Sequence, residues 1–391
     1  MSSLKIILFD GSFQTTPFIN RLAKGLTIRH EVYILGFNEK LSDKIQGVHY
    51  IPLGSNQNKF RFAMTSLEYA LKSGSKKRIV STFKNLFKGE KRKLQEENLR
   101  FVLNKISPDI IHLQWPSVIS WFEEVLEERK IPVVLSQRGF HINVRPFVHS
   151  ENFDYLQKWY PKIAGFHSVS KAIAATGDKI YQSPDKIDHV VYTGLSLEEF
   201  PFSREYRCDI PLQILSVGRP HWIKGYDYAL RACSLLRERG VAFQYRIIGG
   251  AGEEELQFLI ADFGLEDCVF LEDRLPQEKV YQRMQEASLL QMPSIEEGLP
   301  NVVVEAMALG LPVLSSNCGG VPELITDGVE GWVVPIRNPE AMAGGVVDFS
   351  KLSLRRINEV RKAARKKVEW QHSVEGMING MEELYREVLE E

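Results

Sequence analysis

The sequence predicts an α/β protein made of two doubly wound halves that face each other across a cleft. Three observations predict it. At 391 residues the chain is longer than one ordinary core sustains, so two domains of roughly 150–200 residues are expected. Short β-branched runs alternate with helical segments almost throughout. These runs are continuously apolar rather than alternating, the pattern of strands buried on both faces of a parallel sheet.

In chain order, the strand candidates of the first half are "KIILFD" (5–10), "EVYILG" (31–36), "VHYIPL" (48–53), "DIIHLQ" (109–114), "PVVLSQ" (132–137), "GFHSVS" (165–170) and "HVVYTG" (189–194). Those of the second are "LQILSVG" (212–218), "FQYRIIGG" (243–250), "CVFLE" (268–272), "SLLQMPS" (288–294), "PVLSS" (312–316) and "GWVVP" (331–335). Many end in Gly, Ser or Asp just before a helical segment, which gathers polar loops at the carboxyl ends of the strands. Open α/β sheets bind ligands there. The polar and proline-bearing stretch 195–211 breaks the alternation and reads as the linker. Beyond the last strand the chain is helical. Val374, Met377, Ile378, Met381, Leu384, Tyr385 and Val388 recur at 3–4 spacing, so this tail should lie against another element.

Composition narrows the function classes. With 49 basic and 50 acidic residues, bulk nucleic-acid binding is not expected. No run approaches the roughly 18 apolar residues of a membrane span, and the N-terminus lacks a signal-peptide pattern. The four cysteines are scattered without a C-x-x-C pair, which speaks against structural zinc and fits a reducing compartment. A cytoplasmic enzyme or binding protein is the expectation.

Three strand-to-helix turns carry the chemistry. In "PSIEEGLPNVVVEAMALG" (293–310), Pro300 stands where a first helical residue tolerates proline, and Gly310 stops the helix. The turn should aim backbone N–H groups from about Gly298 to Val302, the stretch of Gly298, Leu299, Pro300, Asn301 and Val302, at a ligand, backed by the positive helix end. Glu297 and Glu305 could accept hydrogen bonds from hydroxyls, whereas neither suits a phosphate. A ligand bearing both phosphate and many hydroxyls fits this mixture; equally, Glu297 could simply complement the helix dipole while Glu305 is solvated. In "SVGRPHWIKGYD" (216–227), Arg219 and Lys224 offer cations matched to phosphate oxygens, or are merely solvated. In "IIGGAGEEE" (247–255), Gly249 and Gly250 permit close backbone approach, but the full G-x-G-x-x-G of a nicotinamide site is missing.

Residues 297–314, with "GGVPELI" (319–325) and "GVEGWVV" (328–334), resemble the nucleotide-sugar signature of the retaining family 4 glycosyltransferases, of GT-B fold. The likeness extends to 216–227, to "PDIIHLQW" (108–115), to "SVSKAIAA" (168–175) and to "VVYTGLSLEEF" (190–200). It implies two Rossmann-like domains: residues 1–200, completed by the C-terminal helix 371–391, for the acceptor, and residues 205–370 for the donor. It implies that Glu305 holds the ribose hydroxyls, that Glu297 sits at the donor sugar, and that Arg219 and Lys224 clamp the diphosphate. Gly11, in the first strand-to-helix loop, would lie nearest the donor phosphates, with Gly11-Ser12 replacing the family's paired glycines.

Another departure lies at "QRGFH" (137–141), where Arg138 stands in place of the family's histidine before Gly139. Arg138 then either meets an anionic group of acceptor or donor or serves as a structural ion-pair residue, and His141 is positioned to take part of the lost role. Ser12, His112 and His141 are the acceptor-side candidates. No D-x-D occurs, so no metal or other cofactor is expected; the nucleotide-diphosphate sugar is a co-substrate, and the two cations stand in for a metal.

The expected function is transfer of a sugar, with retention, to a glycan or lipid-linked acceptor in polysaccharide or glycoconjugate synthesis. A nucleotide-sugar epimerase of the same fold and a non-catalytic nucleotide-sugar-binding protein are the alternatives. Residues 59–93 hold eleven Lys/Arg and two Glu, and Ile79, Val80, Phe83, Leu86 and Phe87 share one helical face. This segment either docks on an anionic membrane, making the enzyme peripheral, or packs on its own domain.

Overall fold

The computed structural model describes residues 3–41, 43–202, 206 and 210–390. Among these, each of the apolar runs forms a strand. The first seven are β1 (Lys5–Ser12), β2 (Glu31–Asn38), β3 (Val48–Pro52), β4 (Ile110–Leu113), β5 (Val133–Gln137), β6 (Gly165–Ser168) and β7 (Asp188–Val190). They make one sheet in the order β3-β2-β1-β4-β5-β6-β7. The other six are β8 (Leu212–Val217), β9 (Phe243–Ile248), β10 (Val269–Glu272), β11 (Leu289–Met292), β12 (Val313–Ser316) and β13 (Trp332–Val334). Their order is β10-β9-β8-β11-β12-β13.

Every strand pairing is parallel. Parallel neighbours need long crossovers, and the intervening helices supply them. In each sheet the chain reverses its direction of growth once, between β1 and β4 and between β8 and β11. Such switch points open a crevice at the carboxyl ends of the two strands.

The chain divides into two compact units: residues 1–169, 174–194 and 374–391, and residues 170–173 and 195–373. The break therefore comes at Leu195, the first residue of the stretch read as a linker; residues 203–205 and 207–209 of that stretch, Cys208 included, lie outside the described residues. Leu195 N donates to His372 O at 2.7 Å, so the stretch 195–373 begins and ends at one place.

The closing helix Val374–Glu390 belongs to the first unit. Its Met377, Ile378, Met381, Leu384, Tyr385 and Val388 share a core with Ile6, Leu8, Val32, Ile34, Ile110 and Val134 of the sheet. Each such side chain stabilises by about 1.5–3 kcal/mol when fully buried, so this helix is a structural part of that unit. The second core is built by Leu212, Ile214, Tyr245, Ile247, Leu289 and Leu314 from the strands, with Ala229, Leu230, Cys233 and Leu236 from the helix Tyr226–Glu238.

Candidate active site

The second unit assembles its site at the switch point between β8 and β11. After β8 the chain passes Gly218 and Arg219, makes a short 3-10 turn (Trp222–Lys224) and enters the helix Tyr226–Glu238. Gly225 makes this turn with φ +62°, and a Cβ there would lie 2.2 Å from Pro293 O, so only glycine fits. Ile295 N donates to Ile223 O at 2.8 Å, which stitches the loop after β8 to the loop after β11.

The stitching brings Lys224 Nζ to 2.6 Å from Glu297 Oε1. Ser294 Oγ donates to the same oxygen at 2.8 Å. Both partners of the ion pair are largely buried, with side-chain exposures of 22% and 15%. A cation in such a place is fixed rather than waving in solvent, which is the condition for stabilising charge on a bound group. Arg219 is exposed on the same loop. His221 between the two cations is held below its usual pKa by burial and then by Arg219 and Lys224. Its Nδ1 accepts from Ile223 N at 3.4 Å and caps the turn. Sequence reasoning missed this histidine, although its place between the two cations was visible.

The segment that carries Glu297 is clamped from the far side. Gly319 has φ +47°, and a Cβ on it would fall 1.7 Å from Glu297 O. Gly320 N and Ser170 Oγ both donate to Gly298 O, at 3.1 and 2.9 Å. Gly298, Leu299 and Pro300 are accordingly buried. The helix spans Asn301–Leu309 with Pro300 as its N-cap, not its first residue, because Pro300 keeps an extended ψ of 100° while its carbonyl already accepts from Val303 N. Within Gly298–Val302, Pro300 has no N–H to offer, and Asn301 and Val302 form the first residues of the helix end. Gly310 closes the helix with φ +78°.

Glu305 is one turn on and stands apart from the Lys224–Glu297 pair. It accepts from Tyr281 OH and from Gln277 Nε2, each at 3.3 Å. Gly249 ends β9 beside Gly218, where an added Cβ would meet Gly218 O at 2.9 Å, and Gly250 packs on Ile247 and Leu271. Thus Arg219, Lys224, Glu297, Gly249 and the helix end share one strand edge. Cys318 lies near Glu297, but burial and that carboxylate push its thiol up to about 12, so it is no nucleophile. Among the described residues no group of three or more His, Cys, Asp or Glu is arranged to hold a metal ion.

The first unit has its own polar edge at the carboxyl ends of β1, β4 and β5. The pairing of β1 with β2 is irregular from Phe9 to Ser12, and Gly11 takes φ +87° there. Asp10 sits in this irregularity and accepts from Ser12 N at 2.8 Å. Burial raises its pKa to about 6, against the pull of the backbone N–H groups. Asp10 is a candidate that the sequence did not reveal. Ser12 Oγ accepts from Gln14 N at 3.1 Å and shapes the loop.

Arg138 is only 8% exposed. Its NH2 donates to Gln114 Oε1 at 3.3 Å and to Ser136 Oγ at 3.2 Å, its guanidinium lies 4.3 Å from the Phe18 ring centre, and its Nε has no partner. Burial lowers its pKa to about 9. No carboxylate is paired with it among the described residues, so it is not the structural ion-pair residue that was one of its two readings. His141 lies half-buried with its ring 5.6 Å from that of Trp115, beside a cavity of about 300 Å³.

His112 is corrected. It is fully buried in the body of β4, with Nδ1 2.7 Å from Tyr385 OH and Nε2 2.8 Å from Ser136 Oγ. Ser136 Oγ continues to His167 Nδ1 at 2.8 Å, and His167 Nε2 to Val191 O at 2.9 Å. Burial first, then the neighbouring His167 and Arg138, keep His112 well below its ordinary pKa and hence neutral. It ties the closing helix to the sheet and cannot touch an acceptor.

Residues 208–367 match the family described as glycosyl transferases group 1. The chain is 39% identical over 188 residues to the amylovoran biosynthesis glycosyltransferase AmsK of Erwinia amylovora, a stretch covering 46% of each chain. It is 40% identical over 166 residues to the putative colanic acid biosynthesis glycosyltransferase WcaL of Escherichia coli K12, covering 41% of each. The matched stretch thus spans about half the length of these curated relatives. Among solved structures, a sucrose-phosphate synthase from Thermosynechococcus elongatus superposes with a TM-score of 0.77 at 15% identity, covering 99% of both chains. HepE of Anabaena, solved with UDP and glucose, superposes with a TM-score of 0.73 at 15% identity, covering 97% of this chain and 98% of that one. The two doubly wound units are those of the GT-B fold, and over residues 208–367 the chain is similar to the glycosyl transferases group 1.

Proposed function

We propose that this chain is a retaining, metal-independent glycosyltransferase of family 4 that takes its sugar from a nucleotide-diphosphate donor and delivers it to a glycan or lipid-linked acceptor during polysaccharide synthesis. The observation that carries the proposal is the fixed Lys224–Glu297–Ser294 cluster beside Arg219, at the switch point of the second sheet. The domain match and the names of AmsK and WcaL support the same reading.

In this reading the diphosphate lies against Lys224, Arg219 and the amides of Asn301 and Val302. Glu297 and Ser294 hold Lys224 in place until the more highly charged phosphates share it. Glu297 then also accepts from hydroxyls of the donor sugar, and Glu305 from those of the ribose. The bond between the anomeric carbon and the diphosphate oxygen breaks with its electron pair on that oxygen. An acceptor hydroxyl oxygen bonds to the same face of the carbon, and its proton passes to the departing phosphate oxygen. Negative charge grows on the diphosphate as the bond breaks, and two positioned cations with aligned N–H dipoles lower that barrier. Arg138, Asp10, Ser12 and His141, on the polar edge of the first unit, are the groups offered to the acceptor.

A panel of nucleoside diphosphates tests the donor by thermal stabilisation, since a ligand that binds only the folded state raises its stability. One nucleotide should raise the midpoint, EDTA should leave turnover intact, and the new glycosidic bond should keep the donor's anomeric configuration by NMR. No response to any nucleotide would overturn the reading. Isomerisation of the donor sugar without acceptor would identify an epimerase instead, and binding without transfer or hydrolysis a non-catalytic protein.

A further inference from the structure

The crossover between β3 and β4 is built of three helices, Lys59–Lys72, Lys76–Lys88 and Lys91–Ile106, and the first two turn several large apolar side chains outward. Their buried positions are largely polar: Thr65, Ser66, Tyr69 and Ala70 in one, Thr82 and Asn85 in the other. These polar groups are satisfied inward. Asn98 Nδ2 donates to Ser66 Oγ at 3.1 Å, Tyr69 OH to Pro52 O at 2.8 Å, and Arg78 NH2 to Glu97 O at 3.0 Å. Phe62, Leu67, Ile79 and Leu86 are half-buried, whereas the outward positions carry further large apolar side chains. Phe60, Met64 and Leu71 on the first helix and Val80, Phe83 and Phe87 on the second are between 52% and 96% exposed. Six of the seventeen exposed large hydrophobics among the described residues fall in these thirty positions, so they form a cluster rather than ordinary scatter.

We propose that these two helices dock the protein on an anionic lipid surface, their outward aromatic and aliphatic side chains entering the headgroup–acyl boundary. The inference rests on the first unit alone and stands whether or not the proposed transfer is right. Spacing supports it: Val80, Phe83 and Phe87 recur at i, i+3 and i+7, one stripe along a helix that lies flat. Charge supports it as well. Lys59, Arg61, Lys72, Lys76, Lys77, Lys84 and Lys88 flank the stripes, while Glu68 is the one acid within the two helices and is paired with Lys72.

The chemistry of the cations selects the occupant. Protein interfaces are depleted of lysine, whereas lysines around exposed Phe and Leu suit a field of lipid phosphates. A second copy of this chain would bring like charges together. Among the described residues no helix is long and apolar enough to cross a membrane, so attachment through this face would be peripheral.

Flotation of the full chain with vesicles of phosphatidylcholine, with and without phosphatidylglycerol, tests the proposal. Binding should require the anionic lipid and weaken steeply as salt is raised, because surface attraction is screened. Phe83→Asp with Phe87→Asp should lower partitioning about tenfold or more, and Lys76→Glu with Lys77→Glu likewise, each cation contributing about a factor of five near such a surface. These side chains face solvent, so the far-UV circular dichroism and thermal midpoint of the variants should match the parent and show that the fold is kept. Absence of binding at low salt, equal binding to neutral vesicles, or unchanged binding of both variants would overturn the proposal. Self-association through this face, abolished by Phe87→Asp in sedimentation, would overturn it in favour of a dimer.

Discussion

Replacing Asp10 by Asn should make the first unit more stable at neutral pH and leave it unchanged in acid. The carboxyl is buried beside the irregular end of β1, and its pKa is raised from 3.8 to about 6. The folded unit therefore holds this proton more tightly than the unfolded chain does. The stabilisation from protonating Asp10 is fully present below about pH 4, is lost as pH rises to about 6, and stays lost above it. About two pH units correspond to roughly 3 kcal/mol, an upper bound because part of the group still meets solvent. Asparagine keeps an oxygen to accept from Ser12 N and never ionises.

At pH 8 the variant should thus gain up to roughly 3 kcal/mol, or about 6–12 °C in the transition of a unit of this size. At pH 4 the two proteins should coincide. Scanning calorimetry at both values measures it. A variant no more stable than the parent at pH 8, or one destabilised equally at both, would refute the reasoning that ionised Asp10 is held at a cost. Transfer activity of the variant should fall meanwhile, because a carboxylate kept ionised against desolvation is expected where chemistry uses it.

Other outcomes follow from the same geometry. Lys224→Ala should abolish most of the thermal shift by nucleoside diphosphate and lower turnover by about 10²–10³, the usual loss for one fixed group facing developing charge; unchanged kinetics would remove Lys224 from the site. Arg138→Met should keep or raise the stability of the first unit, since it deletes a buried guanidinium with no carboxylate partner, yet impair transfer; a large loss in midpoint with normal turnover would make Arg138 a structural residue after all. Gly319→Ala should destabilise the second unit by about 3 kcal/mol or more in urea unfolding, because its Cβ would overlap Glu297 O at a positive φ.

The strands were legible because parallel sheets demand continuous apolar runs, and such runs stand out from the flanking Gly, Ser and Asp. Where register within a turn mattered, the sequence was less decisive. A proline serves equally as N-cap or first helical residue, and Pro300 takes the former place because its ψ is extended. His112 is an acceptor-side candidate by sequence, yet it is buried in the body of a strand. Its fate is decided by Tyr385, 273 residues away, whose hydroxyl reaches it only because the last helix returns to the first sheet. Asp10 went unnoticed for a related reason: no pattern in a sequence marks the desolvation of a single carboxylate.

The pair at the centre of the proposed chemistry shows where legibility ends. Lys224 and Glu297 were each picked out, but as a phosphate ligand and a sugar ligand, not as partners 2.6 Å apart across 73 residues. Their meeting follows from strand order, β8 lying beside β11, and from two glycines whose reason is steric. At Gly225 and Gly319 a Cβ would strike the carbonyls of Pro293 and Glu297, so the loops close on the ion pair only if both positions are bare. The "GGVPELI" run is thus a condition on the position of Glu297 as much as a motif of its own. A ligand that draws Lys224 away from Glu297 would meet a carboxylate that cannot retreat, since its backbone is pinned on both sides. That leaves the carboxylate to the hydroxyls of whatever the phosphates carry.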